Sequence, residues 1–211
     1  MSRIVVFGVT GYAGGHITAE LLLRGHTVVG VARDTTRAAA RERLELRPGS
    51  AYDAAFRTKT VEGADTVVVA LPARPADGPD LEIAVTGLLE EVEGARLGVV
   101  GGAGSLLATE GGPRVLETLP EEYKPEAEAH ARVLDALMGA NTRVDWFYLS
   151  PAASFGSWNP GERTGMFTLG TDVLVTDSNG NSGISGADYA IAFVDEIEKP
   201  VHHRARFTVG Y

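Results

Sequence analysis

The chain has 211 residues, 19 Lys and Arg against 28 Asp and Glu for a formal charge of −9, and no cysteine. That length fits a single α/β domain over residues 1–211 with a substantial core. Disulfides, zinc–thiolate sites and a cysteine nucleophile are excluded, and the acidic balance argues against an extended nucleic-acid or anionic-membrane surface, which needs clustered cations. No apolar run approaches the roughly 20 residues that span a bilayer. The expectation is a cytoplasmic protein, monomer or homodimer, whose partner is a small molecule.

Ile4-Val5-Val6-Phe7 runs directly into Gly8-Val9-Thr10-Gly11-Tyr12-Ala13-Gly14-Gly15. A short apolar strand breaking into glycines at this spacing, then an amphipathic stretch, is the pattern of a dinucleotide-binding strand–turn–helix. Gly8 allows the sharp turn, Gly11 lets the backbone approach a pyrophosphate, and Gly14 lets the helix pack closely on the sheet. The N–H groups and dipole of the helix start then favour a diphosphate. This assigns Gly8, Thr10, Gly11, Tyr12, Ala13 and Gly14 to the cofactor; a glycine-rich turn without a ligand is the alternative.

Ile17, Leu21 and Leu22 share the buried face of the helix, which should stop near Arg24-Gly25. Thr27 to Ala32 reads as the second strand, ending at Arg33. An acid at that position would bind the ribose hydroxyls, whereas arginine suits a 2′-phosphate, so Arg33 points to NADP(H), with NAD(H) possible because Asp34 follows. A solvated surface arginine is the alternative. Residues 36–47 read as a basic helix, with a contribution to the cofactor phosphate, leading into a weak third strand at Leu44-Leu46. Asp53 is read as a helix-start acid in preference to a contact to adenine.

Asp65 to Leu71 is the clearest buried strand, apolar on both faces. It ends in Pro72-Ala73-Arg74-Pro75, which places Leu71 and Pro72 beside the middle of a dinucleotide. Leu81, Val85, Leu88, Leu89 and Val92 form a helical stripe, and Leu97-Gly98-Val99-Val100 is the next strand. It opens into Gly101-Gly102-Ala103-Gly104-Ser105, where Gly101 and Gly102 leave room for a flat ring, the nicotinamide, against the backbone; a plain flexible loop is the alternative. Glu121-Glu122-Tyr123-Lys124 opens a helix whose buried side is Ala127, Ala131, Leu134 and Met138. Val144 to Leu149 is the sixth strand and ends in Ser150-Pro151-Ala152-Ala153.

Residues 154–211 are too short for an independent unit and are expected to cap the sheet edge and wall one side of the site. They carry an aromatic loop with Phe155 and Trp158, short β segments at Met166–Leu169 and Asp172–Thr176, a hairpin turn at Asp177-Ser178-Asn179-Gly180, a helix with Ala190, Phe193, Val194 and Ile197, and a strand at Arg206–Val209. Ser150, Phe155 and Trp158 are candidates to contact a flat acceptor; the two aromatics could equally seal this tail against the core. No metal is expected. Asp177-x-Asn179-x-Asn181 imitates a calcium loop, but Ser182 stands where glycine is required. His202-His203 lacks further ligands and reads as a solvated loop, and Ser185-x-x-Asp188 reads as a helix-capping pair. The fold expected from these elements is α/β: a doubly wound parallel sheet in three α/β/α layers with a short C-terminal cap.

Several of these stretches carry a resemblance: Val99-Val100-Gly101-Gly102-Ala103-Gly104-Ser105, Tyr123-Lys124-Pro125-Glu126-Ala127, Tyr148-Leu149-Ser150-Pro151-Ala152, Gly161-Glu162-Arg163-Thr164-Gly165 and Arg206-Phe207-Thr208-Val209-Gly210-Tyr211. With them the chain resembles, nearly end to end, the atypical short-chain dehydrogenases of the NmrA-like group, often called NADH-flavin reductases, and more distantly the biliverdin reductase B type. The resemblance implies a Rossmann fold that binds NAD(P)H and passes hydride to a flavin (FMN or FAD) or another small acceptor. The chain departs from the Tyr-x-x-x-Lys pair of alcohol and ketone dehydrogenases: Lys124 directly follows Tyr123, and Ala127 stands at the lysine position. Adjacent helical residues project about 100° apart, so this pair cannot reproduce that geometry. The serine and histidine of the flavin-reducing relative correspond to small residues around Ala103 and Ala152. Ser105, Tyr123, Lys124 and His130 remain as catalytic candidates, with His130 also readable as a structural residue. A standard carbonyl reductase is not expected. Flavin reduction survives, because it needs mainly two stacked rings; the alternative is a non-catalytic NADP(H) sensor.

Overall fold

The computed structural model describes residues 1–73, 79–92 and 94–211; Arg74 and Pro75 of the expected proline loop lie outside them. Five largely apolar segments form central strands: β1 (Arg3–Phe7), β2 (Thr27–Ala32), β4 (Thr66–Val69), β5 (Arg96–Val100) and β6 (Trp146–Ser150). They are buried almost throughout, as strands covered on both faces must be. With β3 (Leu44–Pro48), β7 (Thr168–Gly170) and β8 (Ala205–Gly210) they make an eight-stranded sheet in the order β3-β2-β1-β4-β5-β6-β8-β7. Every pair is parallel except β7 on β8.

Side chains alternate between two cores. Ile4, Val6, Val68, Phe147, Leu149 and Phe207 pack under α1 (Tyr12–Leu23) and α6 (Gly186–Glu198). Val5, Phe7, Val67, Val69, Val99 and Tyr148 pack under α2 (Ala54–Val61), α3 (Leu81–Glu91) and α5 (Lys124–Gly139). The result is the three-layer, doubly wound arrangement expected. Chain order reverses direction across β1 and β4, and the carboxyl ends of both strands open on one edge, the place where such sheets bind ligands.

Several local expectations change. Residues 36–43 form turns, not a helix, with Ala38 N–H donating to Thr35 and Leu44 N–H to Arg41. Their arginines and alanines carry no apolar stripe for the core to hold, so helix nucleation is not offset by packing. Helix α5 starts at Lys124, with Pro125 in its first turn, and its buried stripe continues to Leu137; Met138 is 65% exposed. An unforeseen one-turn helix, α4 (Val115–Thr118), lies in the preceding loop. The segment Asp172–Thr176 is not a strand and makes a single bridge from Val173 to Leu107. The turn at Asp177–Gly180 does form, with Asp177 accepting the N–H groups of Asn179 and Asn181, but no strand pair flanks it. His202 is not solvated: its ring stacks on Phe207 at 3.9 Å and its Nδ1 lies 2.7 Å from Glu196. The C-terminal segment does more than cover an edge, because β8 hydrogen-bonds to β6 inside the sheet.

What anchors that segment is Asp188. Ser185 caps α6, its Oγ accepting the Asp188 N–H at 3.0 Å, as the spacing predicts. The fully buried Asp188 carboxylate, however, turns to the tail: it accepts from Thr164 N and Oγ1, from Gly165 N at 2.9 Å and from Tyr211 Oη at 2.7 Å. Burial alone would push this carboxyl up; the donors around it outweigh burial and hold it below the usual range. A carboxyl depressed in the folded state adds stability that is complete above its unfolded value of about 3.9 and is lost as pH falls through the folded value. Asp188→Asn should therefore cost about 1–3 kcal/mol near neutral pH. In thermal melts followed by circular dichroism, the gap between the two proteins should narrow below about pH 4; a gap independent of pH would contradict this account.

Candidate functional site

The glycine turn is built by close backbone approach. Gly8 has φ +96°, and a Cβ there would sit 2.1 Å from the Ala70 carbonyl oxygen. Its N–H donates to Val31 O at 2.8 Å, pinning the end of β1 to β2. A Cβ on Gly14 would in turn lie 2.1 Å from the Gly8 carbonyl oxygen, so α1 crosses the end of β1 with no side chain between them. Gly11 stands at the N-cap in extended conformation and brings no side chain to cap the first-turn N–H groups.

In front of this turn lies a cleft of about 410 Å³. Gly8, Thr10 and Gly11 form its floor, Leu71 and Pro72 wall it on the β4 side, and Arg33 and Arg37 wall it on the β2 side. Arg37 comes from the basic run, which sequence reading treated as a unit; its Nη2 donates to Thr10 O at 3.2 Å, bending the run back over the glycine turn. Asp34 is turned aside, with one oxygen accepting both Thr36 N at 2.9 Å and Thr36 Oγ1 at 2.7 Å; the same bonds hold its carboxyl below the usual range. Ser50 and Tyr52, which sequence reading missed, complete the wall beyond β3. Burial raises the Tyr52 phenol above its ordinary value. The only sequence signal for them was their place just past a strand on the ligand edge. Asp53 is a helix N-cap, accepting Phe56 N–H at 3.1 Å.

Other predicted residues have structural tasks. Tyr12 Oη accepts the Gly186 N–H at 2.9 Å, joining α1 to the start of α6, and Ala13 packs into the core under those helices. A Cβ on Gly101 would meet the Tyr148 ring at 2.1 Å, and one on Gly102 would meet His130 at 3.0 Å. The glycines of this second cluster thus make room for protein side chains. Tyr148 Oη receives the Gly102 N–H and donates to His130 O at 3.0 Å; burial pushes its phenol far up. Tyr123 is exposed and Lys124 reaches back to Glu121 at 2.5 Å, so they make no catalytic pair. Ser105 is buried with its Oγ 3.5 Å from Arg206, and Ser150 is buried with no hydrogen-bond partner for its Oγ among the described residues. Phe155 packs against Tyr12 and Tyr189, with ring centroids 5.4 and 4.5 Å away, which is the sealing role. Trp158 lies across Gly156 and is 75% exposed.

A doubly wound sheet with this turn and this cleft at its switch point defines a dinucleotide-binding Rossmann protein. The NAD(P)H-binding family matches residues 8–200, and the chain belongs to that family. It is 34% identical over 214 residues to the uncharacterized protein YwnB of Bacillus subtilis (strain 168), covering 98% of this chain and 97% of the relative. Among solved structures it is similar to a protein of Streptococcus pneumoniae TIGR4 provisionally called an NADH-flavin reductase: 33% identity, TM-score 0.86, 100% of this chain and 99% of the other. It is also similar to one of Bacteroides thetaiotaomicron provisionally called an epimerase: 34% identity, TM-score 0.89, 100% and 97% covered. These likenesses agree with the expected atypical short-chain dehydrogenase group. No helix among the described residues is long and apolar enough to cross a membrane.

The crossing at Gly14 generates a prediction. Gly14→Ala places a methyl against the Gly8 carbonyl, where only backbone movement gives relief, at a cost of about 1–3 kcal/mol. Both NADH and NADPH should bind more weakly in fluorescence titrations, by similar factors, with a lowered melting temperature. Unchanged binding would show that the helix start is not part of the site.

Proposed function

We propose that the protein is an NADPH-preferring oxidoreductase that delivers hydride to a flavin, FMN or FAD, or to a similarly flat small molecule. The observation carrying this reading is the β2 side of the cleft, where Arg33 and Arg37 line the wall while the Asp34 carboxylate is occupied by Thr36. Two guanidinium groups suit a 2′-phosphate, and an aspartate held away does not compete for the ribose hydroxyls. When bound, the dinucleotide supplies the hydride. The α1 start would hold its diphosphate, Arg33 and Tyr52 its adenosine end, and Leu71 and Pro72 its middle. Trp158, a large exposed aromatic on the loop following β6, is suited to stack on a flat acceptor. Reduction of such a ring needs alignment more than a dedicated acid.

That Tyr123 and Lys124 form no catalytic pair favours a second reading, a non-catalytic protein whose partner binding follows its NADP(H) state. Steady-state NADPH oxidation with FMN, FAD and riboflavin separates the two. Turnover clearly above the uncatalysed background supports the reductase; tight NADPH binding without turnover supports the sensor. For the cofactor, Arg33→Ala should weaken NADPH binding by about 1–3 kcal/mol, the scale of a charge-assisted contact, and leave NADH nearly unchanged. Equal losses for both dinucleotides would contradict the assignment.

A further inference from the structure

The far end of the cleft is built by the loop that leaves β3 on the ligand edge of the sheet, Gly49 to Tyr52. In the sheet order β3 lies beyond β2 and β2 beyond β1, so a dinucleotide with its diphosphate at the α1 start and its ribose at the end of β2 brings its base to this loop. The loop is held in one shape from behind. Gly49 N–H donates to Ala32 O at 2.9 Å, and a Cβ on Gly49 would fall 2.1 Å from the Phe56 ring. The buried Arg57 donates through Nη1 to Ala51 O at 2.8 Å while its Nε holds Glu91 at 2.7 Å, and Ser50 O accepts the Asp53 N–H at 3.2 Å. Two carbonyls of the loop are thereby committed to its own supports.

What the loop offers a base is hydroxyl. Ser50 Oγ accepts the Tyr52 N–H at 3.2 Å and keeps its own hydrogen to donate, and Tyr52 Oη bonds no other group among the described residues. Among the described residues no carboxylate and no side-chain amide lines the cleft. Asp34 is occupied by Thr36, and Asp53 by the Phe56 N–H. A purine amine is selected by a fixed acceptor and a purine oxo group by a fixed donor, whereas a hydroxyl turns to serve as either. The flat guanidinium of Arg33 and the ring of Tyr52 are equally indifferent, because every base has a π face to stack on.

We propose, on the placement of the adenosine end given above, that this cleft does not read position 6 of the purine, so that dinucleotides carrying hypoxanthine, a 6-oxo purine, bind as well as those carrying adenine. A site rejects the wrong group strongly only where that group leaves a buried partner unpaired. Ser50 and Tyr52 leave none, and Ser50 is the residue that keeps the choice open. Affinity then comes from the phosphates and the stacked faces, not from the edge of the base.

Fluorescence titrations of wild type, Ser50→Asp and Tyr52→Ala with NADPH and with its hypoxanthine counterpart test this. In wild type the two Kd values should agree within about threefold, and that ratio decides the tolerance whether or not the variants fold. Ser50→Asp keeps an oxygen for the Tyr52 N–H, as Asx turns do, and adds a fixed acceptor; it should favour the adenine form by about tenfold or more. Tyr52→Ala should weaken both forms by about tenfold, in equal measure. A wild-type preference for adenine beyond threefold, or a folded Ser50→Asp with an unchanged ratio, would overturn the proposal. If Tyr52→Ala binds both forms as wild type does, the base does not lie at this loop and the placement itself fails; a wild-type preference for adenine with the Tyr52 loss intact defeats the tolerance alone.

Discussion

Everything at the ligand edge depends on one steric constraint, the meeting of three backbone segments with no side chain between them. The end of β1, the start of α1 and the end of β4 converge at Gly8, Gly14 and Ala70, where added Cβ atoms would fall 2.1 Å from carbonyl oxygens. Overlap of that depth cannot be relieved by rotating a side chain. The contact sets where the helix begins relative to the sheet, and so where its N–H groups face. The cleft walls from β2 and β4 are then placed by parallel pairing on either side of β1.

Electrostatics works locally against the global balance. The chain carries a formal charge of −9, yet the cleft presents Arg33 and Arg37. With a screening length of about 8 Å at physiological ionic strength, two cations in the wall matter more to a bound phosphate than distant carboxylates. Many other cations are committed elsewhere: Arg24 to Glu20, Asp195 and Glu198, Arg57 to Glu91, and Arg96 to Asp145 and Glu196.

The central strands and the first glycine turn were legible because their signals are local: continuous apolar runs, and glycines where φ or close approach forbids a Cβ. Arg33 was legible from its position after the second strand. The basic run misled because alternating Arg and Ala has helical propensity but nothing to bury, and its geometry depends on Arg37 finding a carbonyl far back in sequence. The second glycine cluster was ambiguous for another reason. A glycine signals that something comes close, and Tyr148 and His130, which do so here, belong to distant segments. Likewise, Asp188 reads as a cap because its spacing from Ser185 is visible and its bonds to Thr164 and Tyr211 are not.

The hydrogen bond between Tyr12 and Gly186 spans 174 positions. Arg163 reaches back over a similar distance to Glu20, at 2.6 Å on the same helix. The brace behind the cofactor helix therefore comes from the far end of the chain. During synthesis, the glycine turn leaves the ribosome long before the segment that steadies it, so β1, α1 and β2 must wait as an unsupported layer until β8 and α6 dock. A competent cleft is a late product of folding, although the residues that line it are among the earliest translated.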